Sequence, residues 1–214
     1  MTKPKSSIKV ISTTCSNFNL QSIVHDHKPD ILLLSEAHGI IKYLRLQKNL
    51  SEYFKYSSQI PIRKFFKIKN SGLILYSKFP ITNEYFIDFQ PGKPTLTTMG
   101  LQFCTVNKLT FVNSNFKLIK EKDDYQRAIE TISKKLKHYV NPNHIVSIDF
   151  NNFFDESMLT NDSEFIAVTN SIKNNSKLFL TKRNSYISCE NVMYIDDDTI
   201  LTEFSFPVVL PSDL

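Results

Sequence analysis

Residues 8–36 read IKVISTTCSNFNLQSIVHDHKPDILLLSE. The opening IKVISTT has the β-branched composition of a buried strand. Leu20, Ile23 and Val24 then recur at helical spacing. PDILLLSE is a continuous apolar run that suits a strand covered on both faces. A strand, a short helix and a strand in so few residues make a crossover unit, whose two strands lie side by side. Thr14 and Glu36 are therefore expected at the ends of neighbouring strands.

Working outward, residues 41–56 carry a weaker helical pattern. RKFFKIKN, SGLILYSKFPI, GLQFCTV and LTFVNSNF read as successive strands of a meander, with Gly, Pro and Asn between them. Over residues 125–139, Ile129, Ile132 and Leu136 share one helical face and Lys134, Lys135 and Lys137 turn away from it. IVSIDFNNF, residues 145–153, is another apolar strand, and it ends on Asp149, Phe150 and Asn151. Short strands follow around 178–180, 186–188 and 204–210. No internal repeat or long linker divides the chain, so residues 1–214 are expected to form one domain. Two facing sheets with helices outside would gather the polar strand ends at one rim.

Composition narrows the function. Hydrophobic residues make up 41% and charged residues 22% of the chain, and no apolar run is long enough to span a bilayer. MTKPKSSIKVIS has no sustained apolar segment or small-residue cleavage site, so the protein is expected inside the cell, in cytoplasm or nucleus. Cys15, Cys104 and Cys189 lack CxxC spacing, which argues against a zinc site or a disulfide framework and for reduced, mostly buried thiols. A net charge of +5 favours anionic partners. The four glycines make a glycine-rich phosphate loop an unsuitable explanation.

Seven stretches, IKVISTTCSN, KPDILLLSEAHG, SGLILYSKFPI, FVNSNF, IVSIDFNNF, RNSYI and EFSFPVV, resemble in order and spacing the endonuclease/exonuclease/phosphatase superfamily. The resemblance covers nearly the whole chain. It implies the deoxyribonuclease I-like fold, a four-layer α/β-sandwich of two facing mixed β-sheets flanked by helices. It also implies metal-dependent hydrolysis of a phosphodiester or phosphomonoester. Glu36 matches the family's metal-binding glutamate, and magnesium or manganese would suit a hard oxygen ligand of that kind. Asp149 and Asn151 match the aspartate and asparagine that orient the attacking water and hold the phosphate.

Several positions depart from the family. Thr14 replaces an asparagine and loses its amide donor. Asn115 stands where a histidine is common, which removes a positive charge from the phosphate. Ser185 replaces the aspartate of RIDYI. With EFSFPV set against SDHxPV by its proline, Phe204 and Ser205 replace an aspartate and a histidine. The five histidines are His25, His27, His38, His138 and His144, so no small realignment restores a histidine near the C-terminus.

These features predict a catalytically impaired relative, weak or inactive as an enzyme, acting as a binding or scaffolding module for nucleic acid or for a protein partner, and not for membrane. Asp149, Asn151 and Asn115 would form a residual site. Glu36 would hold magnesium or manganese weakly or not at all. Arg63, Lys64, Lys67, Lys69, Lys117 and Lys120 would face an anionic partner. The alternative is a divalent-metal-dependent phosphodiesterase or nuclease of reduced activity, and a purely structural subunit is a third reading. Asp196–Asp198 reads as a solvated turn rather than a metal cluster. RKFFKIK reads as alternating burial with exposed lysines rather than a stacking surface for bases. His38 reads as an exposed loop residue.

Overall fold

The computed structural model describes residues 5–17, 19–58, 71–89, 99–117, 119, 122–137, 143–150, 165–168, 177–182 and 185–207. The elements are β1 (Lys5–Thr14), α1 (Leu20–His27), β2 (Ile31–Ser35), α2 (Ile40–Leu50), β3 (Tyr56–Ser57), β4 (Ile74–Ser77), β5 (Ile81–Asp88), β6 (Gly100–Val106), β7 (Leu109–Asn115), α3 (Lys122–Lys137), β8 (His144–Asp149), β9 (Phe165–Ala167), β10 (Lys177–Lys182), β11 (Ser188–Asp196) and β12 (Thr199–Pro207). They form two six-stranded mixed sheets, ordered β11-β12-β1-β2-β4-β3 and β5-β6-β7-β8-β10-β9.

The crossover expected from residues 8–36 is present: β1 and β2 are parallel, with Thr14 opposite Ser35. In the second sheet β7 and β8 are likewise parallel, with Asn115 opposite Asp149. Three apolar layers follow from period-two alternation along the strands. Ile8, Val10, Ile31, Leu33, Phe111, Ile145 and Phe179 meet between the sheets. Ile11, Leu32, Leu34 and Ile74 face the other way and pack on Leu20, Ile23 and Val24 of α1 and Leu46 and Leu50 of α2. Leu101, Phe103, Val112, Val146 and Ile148 pack on Ala128 and Ile129 of α3. This is the four-layer sandwich.

The sequence reading needs correction in places. SGLILYSKFPI is not one strand: β4 ends at Ser77 and β5 starts at Ile81. The strand expected around 186–188 begins at Ser188 and not at Tyr186, and β12 begins at Thr199, five residues before Phe204. The proposed strand RKFFKIKN lies outside the described residues.

All three cysteines are free, Cys104 buried, Cys15 half-buried and Cys189 exposed, so the thiols are less uniformly buried than composition suggests. Burial pushes the Cys104 thiol up, well above its ordinary value. Ellman's reagent at pH 8 is expected to label Cys189 fast and Cys104 only after denaturation; fast labelling of all three thiols would contradict this packing.

Candidate functional site

Along the facing sides of the sheets, each central strand changes from apolar to polar in the same direction. On β1 the order is Ile8, Val10, Ser12, Thr14; on β2 it is Ile31, Leu33, Ser35. On β7 it is Phe111, Asn113, Asn115, and on β8 Ile145, Ser147, Asp149. These polar ends bridge the sheets. The Ser12 and Ser147 hydroxyls share a 2.8 Å hydrogen bond, and Asn113 Nδ2 donates to Leu34 O at 2.9 Å. Polar groups buried in such a layer need partners of this kind.

Asp149 is the centre of the layer and is only 1% exposed. Ser35 Oγ donates to its Oδ2, and Lys177 Nζ donates to its Oδ1. Lys177 sits opposite Asp149 in the β10–β8 register and is itself 1% exposed. Burial lowers the lysine's pKa from its ordinary value, while the adjacent carboxylate works to raise it. The Asp149 carbonyl accepts the Phe116 N–H at 2.7 Å, which ties β7 to the same point. A second ion pair, Lys117 with Asp198, lies near enough to act on Lys177 electrostatically.

Asn115, beside Asp149, is 4% exposed. Its Oδ1 accepts the Lys117 N–H at 2.8 Å, whereas its buried Nδ2 has no hydrogen-bond partner among the described residues.

Glu36 leaves the end of β2 in the left-handed region, φ 62°, a conformation uncommon for a residue with a side chain. Its backbone carbonyl accepts from Lys42 Nζ at 3.1 Å, and Oε2 lies 3.5 Å from the Ser16 hydroxyl. The loop it begins rests on Gly72, whose φ is 69° and whose carbonyl accepts the Ala37 N–H at 2.9 Å. A Cβ at Gly72 would lie 2.5 Å from His38 Cε1, so His38 is a packing residue here and not the exposed one expected. Gly72→Ala is expected to cost more than about 1 kcal/mol through backbone strain and this clash, read as a lower denaturant midpoint. An unchanged midpoint would mean the Glu36 loop does not depend on the glycine.

A cleft of about 300 Å³ opens at the rim, lined by Thr14, Ser16, Asn17, Asn19, Asp196, Asp197 and Asp198. The aspartates form the β11–β12 turn. Asp196 Oδ1 accepts the Asp198 N–H at 2.9 Å, and Asp196 Oδ2 accepts from Asn17 Nδ2 at 2.8 Å. Asn17 Nδ2 also reaches Thr199 Oγ1 at 3.0 Å.

Thr14, Glu36, Asn115 and Asp149 thus come together at one rim. Asn151 and the cations Arg63, Lys64, Lys67, Lys69 and Lys120 lie outside the described residues. Lys117 is drawn to Asp198. The resemblance, with EFSFPV set against SDHxPV, implies that Phe204 and Ser205 stand at the rim, and the register corrects this. Phe204 pairs with Ile8 and Ser205 with Ser7, near the opposite end of β1, and it is Thr199 and Ile200 that begin β12 beside Ser12 and Thr13. Phe204 is a core residue, its ring 5.7 Å from that of Phe179. The Ser205 hydroxyl bonds with Ser188 at 2.6 Å and donates to Glu190. Ser185 accepts the Ile187 N–H at 3.0 Å just before β11.

Lys177 and Ser35 are the site residues that sequence reasoning missed. Their only signal is alternation: Ser35 follows Ile31 and Leu33 on the inward face, and Lys177 precedes inward-facing Phe179.

The donor set does not suit a divalent ion at Asp149. No three His, Cys, Asp or Glu side chains cluster for a metal among the described residues. Both Asp149 oxygens are engaged by the chain's own donors. Magnesium and calcium call for about six or more oxygen ligands, waters included, and a buried carboxylate with an ammonium directly against it does not offer them.

No protein-family profile matches the sequence, and no curated protein matches it. Solved structures do. Sphingomyelinase C from Streptomyces griseocarneus is 10% identical at a TM-score of 0.64, over 94% of this chain and 99% of that one. D. rerio TDP2, solved with a single-strand DNA product, is 14% identical at a TM-score of 0.64, over 93% and 99%. An endonuclease/exonuclease/phosphatase family protein from Bacteroides thetaiotaomicron is 12% identical at a TM-score of 0.64, over 96% and 97%. The chain has the deoxyribonuclease I-like fold, an α/β sandwich of two mixed sheets like that of these structures. At these identities the likeness is one of fold, and fold alone does not assign an activity. No helix among the described residues is long and apolar enough to cross a membrane.

Proposed function

We propose that this protein is a catalytically impaired member of the deoxyribonuclease I-like fold that works as a binding or scaffolding module for nucleic acid. The observation that carries the reading is the closure of Asp149. A carboxylate that is to align water needs a free oxygen and access to solvent, and Asp149 is buried with Ser35 on one oxygen and Lys177 on the other. The nucleic-acid part rests on the net charge of +5 and on the basic cluster Arg63, Lys64, Lys67 and Lys69. That a protein of the same fold has been crystallised with single-stranded DNA makes nucleic acid the natural first ligand to try.

The test is fluorescence anisotropy with labelled single- and double-stranded oligonucleotides across a salt series. Binding should be independent of sequence and fall steeply with salt, because each neutralised phosphate releases a counterion. Replacing the four clustered cations by alanine should flatten the log–log salt slope by about 3. Lack of binding even at low salt would turn the reading toward a protein partner.

A further inference from the structure

We infer that Lys177 is the resident counter-cation of the Asp149 centre, an internal ammonium that neutralises the carboxylate in place of a divalent ion and closes that position to one. The inference deepens the reading above, resting on it only for the closure of Asp149, and it holds whichever partner the protein binds.

Three observations carry it. First, both members of the pair are 1% exposed. An ionised carboxylate and an ammonium taken that far from water are each penalised by several kcal/mol, so neither persists there without the other. Secondly, the lysine is placed by the sheet and not by a loop. Residue 177 is the cross-strand partner of residue 149, flanked by Leu178 opposite Ile148 and Phe179 opposite Ser147. Backbone register therefore sets the root of the side chain directly across from the aspartate, and the ammonium meets the carboxylate there. Thirdly, a neighbouring carboxylate is met in the same way: Lys117 pairs with Asp198 at the edge of the cleft. A divalent ion would have to displace an ammonium with no solvent exposure and then remain beside it, a like-charge contact in a medium of low dielectric. Ser35 completes the arrangement by donating to the oxygen that Lys177 leaves.

The prediction separates the lysine from the metal through stability, not turnover. Thermal unfolding of the full chain is measured in EDTA and in magnesium, manganese or calcium chloride. The unmodified protein should melt within about 1 °C in all of them, as expected where no ion binds the native state. Lys177→Met strands the carboxylate, and should lower the melting temperature by on the order of 10 °C. Part of that loss should return with millimolar manganese, because the vacated carboxylate then has room for an ion. Asp149→Asn/Lys177→Met, which removes both charges, should be more stable than Lys177→Met in EDTA and indifferent to metal. If Lys177→Met does not fold, the double variant against Asp149→Asn reads the same coupling, with the double again expected to be the more stable. The inference is overturned if metal stabilises the unmodified protein and Asp149→Asn removes the effect. It is equally overturned if the double variant is no more stable than the single ones. An active hydrolase with a metal-indifferent melting temperature would instead remove the impaired-enzyme reading and leave this one standing.

Discussion

Phe204→Asp is expected to yield no folded protein at 37 °C, whereas Phe204→Leu is expected to fold. Read against the SDHxPV pattern, the first substitution looks like a restoration of a lost aspartate. The packing argues the reverse. Phe204 is fully buried between the sheets, its ring edge-on to Phe179, on a strand that pairs with Ile8 on one side and Cys189 on the other. Losing the phenyl ring costs about 3–5 kcal/mol as a cavity. An unpaired carboxylate in the same apolar layer adds several more, whether it stays charged or takes up a proton. The sum reaches the roughly 5–15 kcal/mol that hold a domain together. Leucine keeps most of the volume and no charge, so it should cost about 1 kcal/mol. Soluble yield, far-ultraviolet circular dichroism and urea titration distinguish the two; a cooperative, near-native transition for Phe204→Asp would show that position 204 is not the core residue described.

Position 204 also marks where sequence ceases to be a guide. The first half of the site was legible because it rests on rules with a fixed period. Ile31, Leu33 and Ser35 alternate with Leu32 and Leu34, and the parallel crossover puts Thr14 next to Ser35 whatever the loops do. The same alternation fixes Asp149 on the inner face. The end of the chain offers no such rule. In β11 most residues touch solvent and the register shifts twice, so hydrophobic alternation there is faint. Pro207 is what aligns EFSFPV with SDHxPV, but a proline at the end of a strand marks only where pairing stops. The strand therefore began five residues earlier than the motif implied, and the turn at Asp196–Asp198, read as mere solvated charge, lines the rim cleft. Lys177 was illegible for another reason. A lysine that opens a short strand ordinarily faces water, and nothing local reveals that an aspartate 28 residues earlier lies directly across the sheet.

The same burial underlies the expected result on catalysis. With magnesium or manganese, the purified protein is expected to turn over duplex DNA, abasic DNA, RNA and simple phosphate esters at or below about 10⁻³ s⁻¹, against about 10 s⁻¹ for a typical enzyme. The expected deficit follows from chemistry that the described rim residues do not supply. Asn115 presents an uncharged amide at the rim, its oxygen already accepting the Lys117 N–H, where the resemblance implies a histidine; loss of one such stabilising group is worth about a hundredfold to a thousandfold. Among the described residues no imidazole joins the site. His38 packs on Gly72, and His144 starts β8 opposite Thr110, at the far end of the strand from Asp149. A missing general acid or base costs a further hundredfold to ten-thousandfold or so, and the two losses need not add. Glu36 is half-exposed, so Glu36→Ala removes its carboxylate with little risk to the fold, and Asp149→Asn/Lys177→Met removes the buried charge without stranding the lysine. Hydrolysis at an ordinary enzymatic rate, lost in both variants while both remain folded, would establish the metal-dependent hydrolase. A trace of activity that survives both variants does not run through Glu36 or Asp149, and repeating the assay on an independently purified preparation shows whether it belongs to a contaminant.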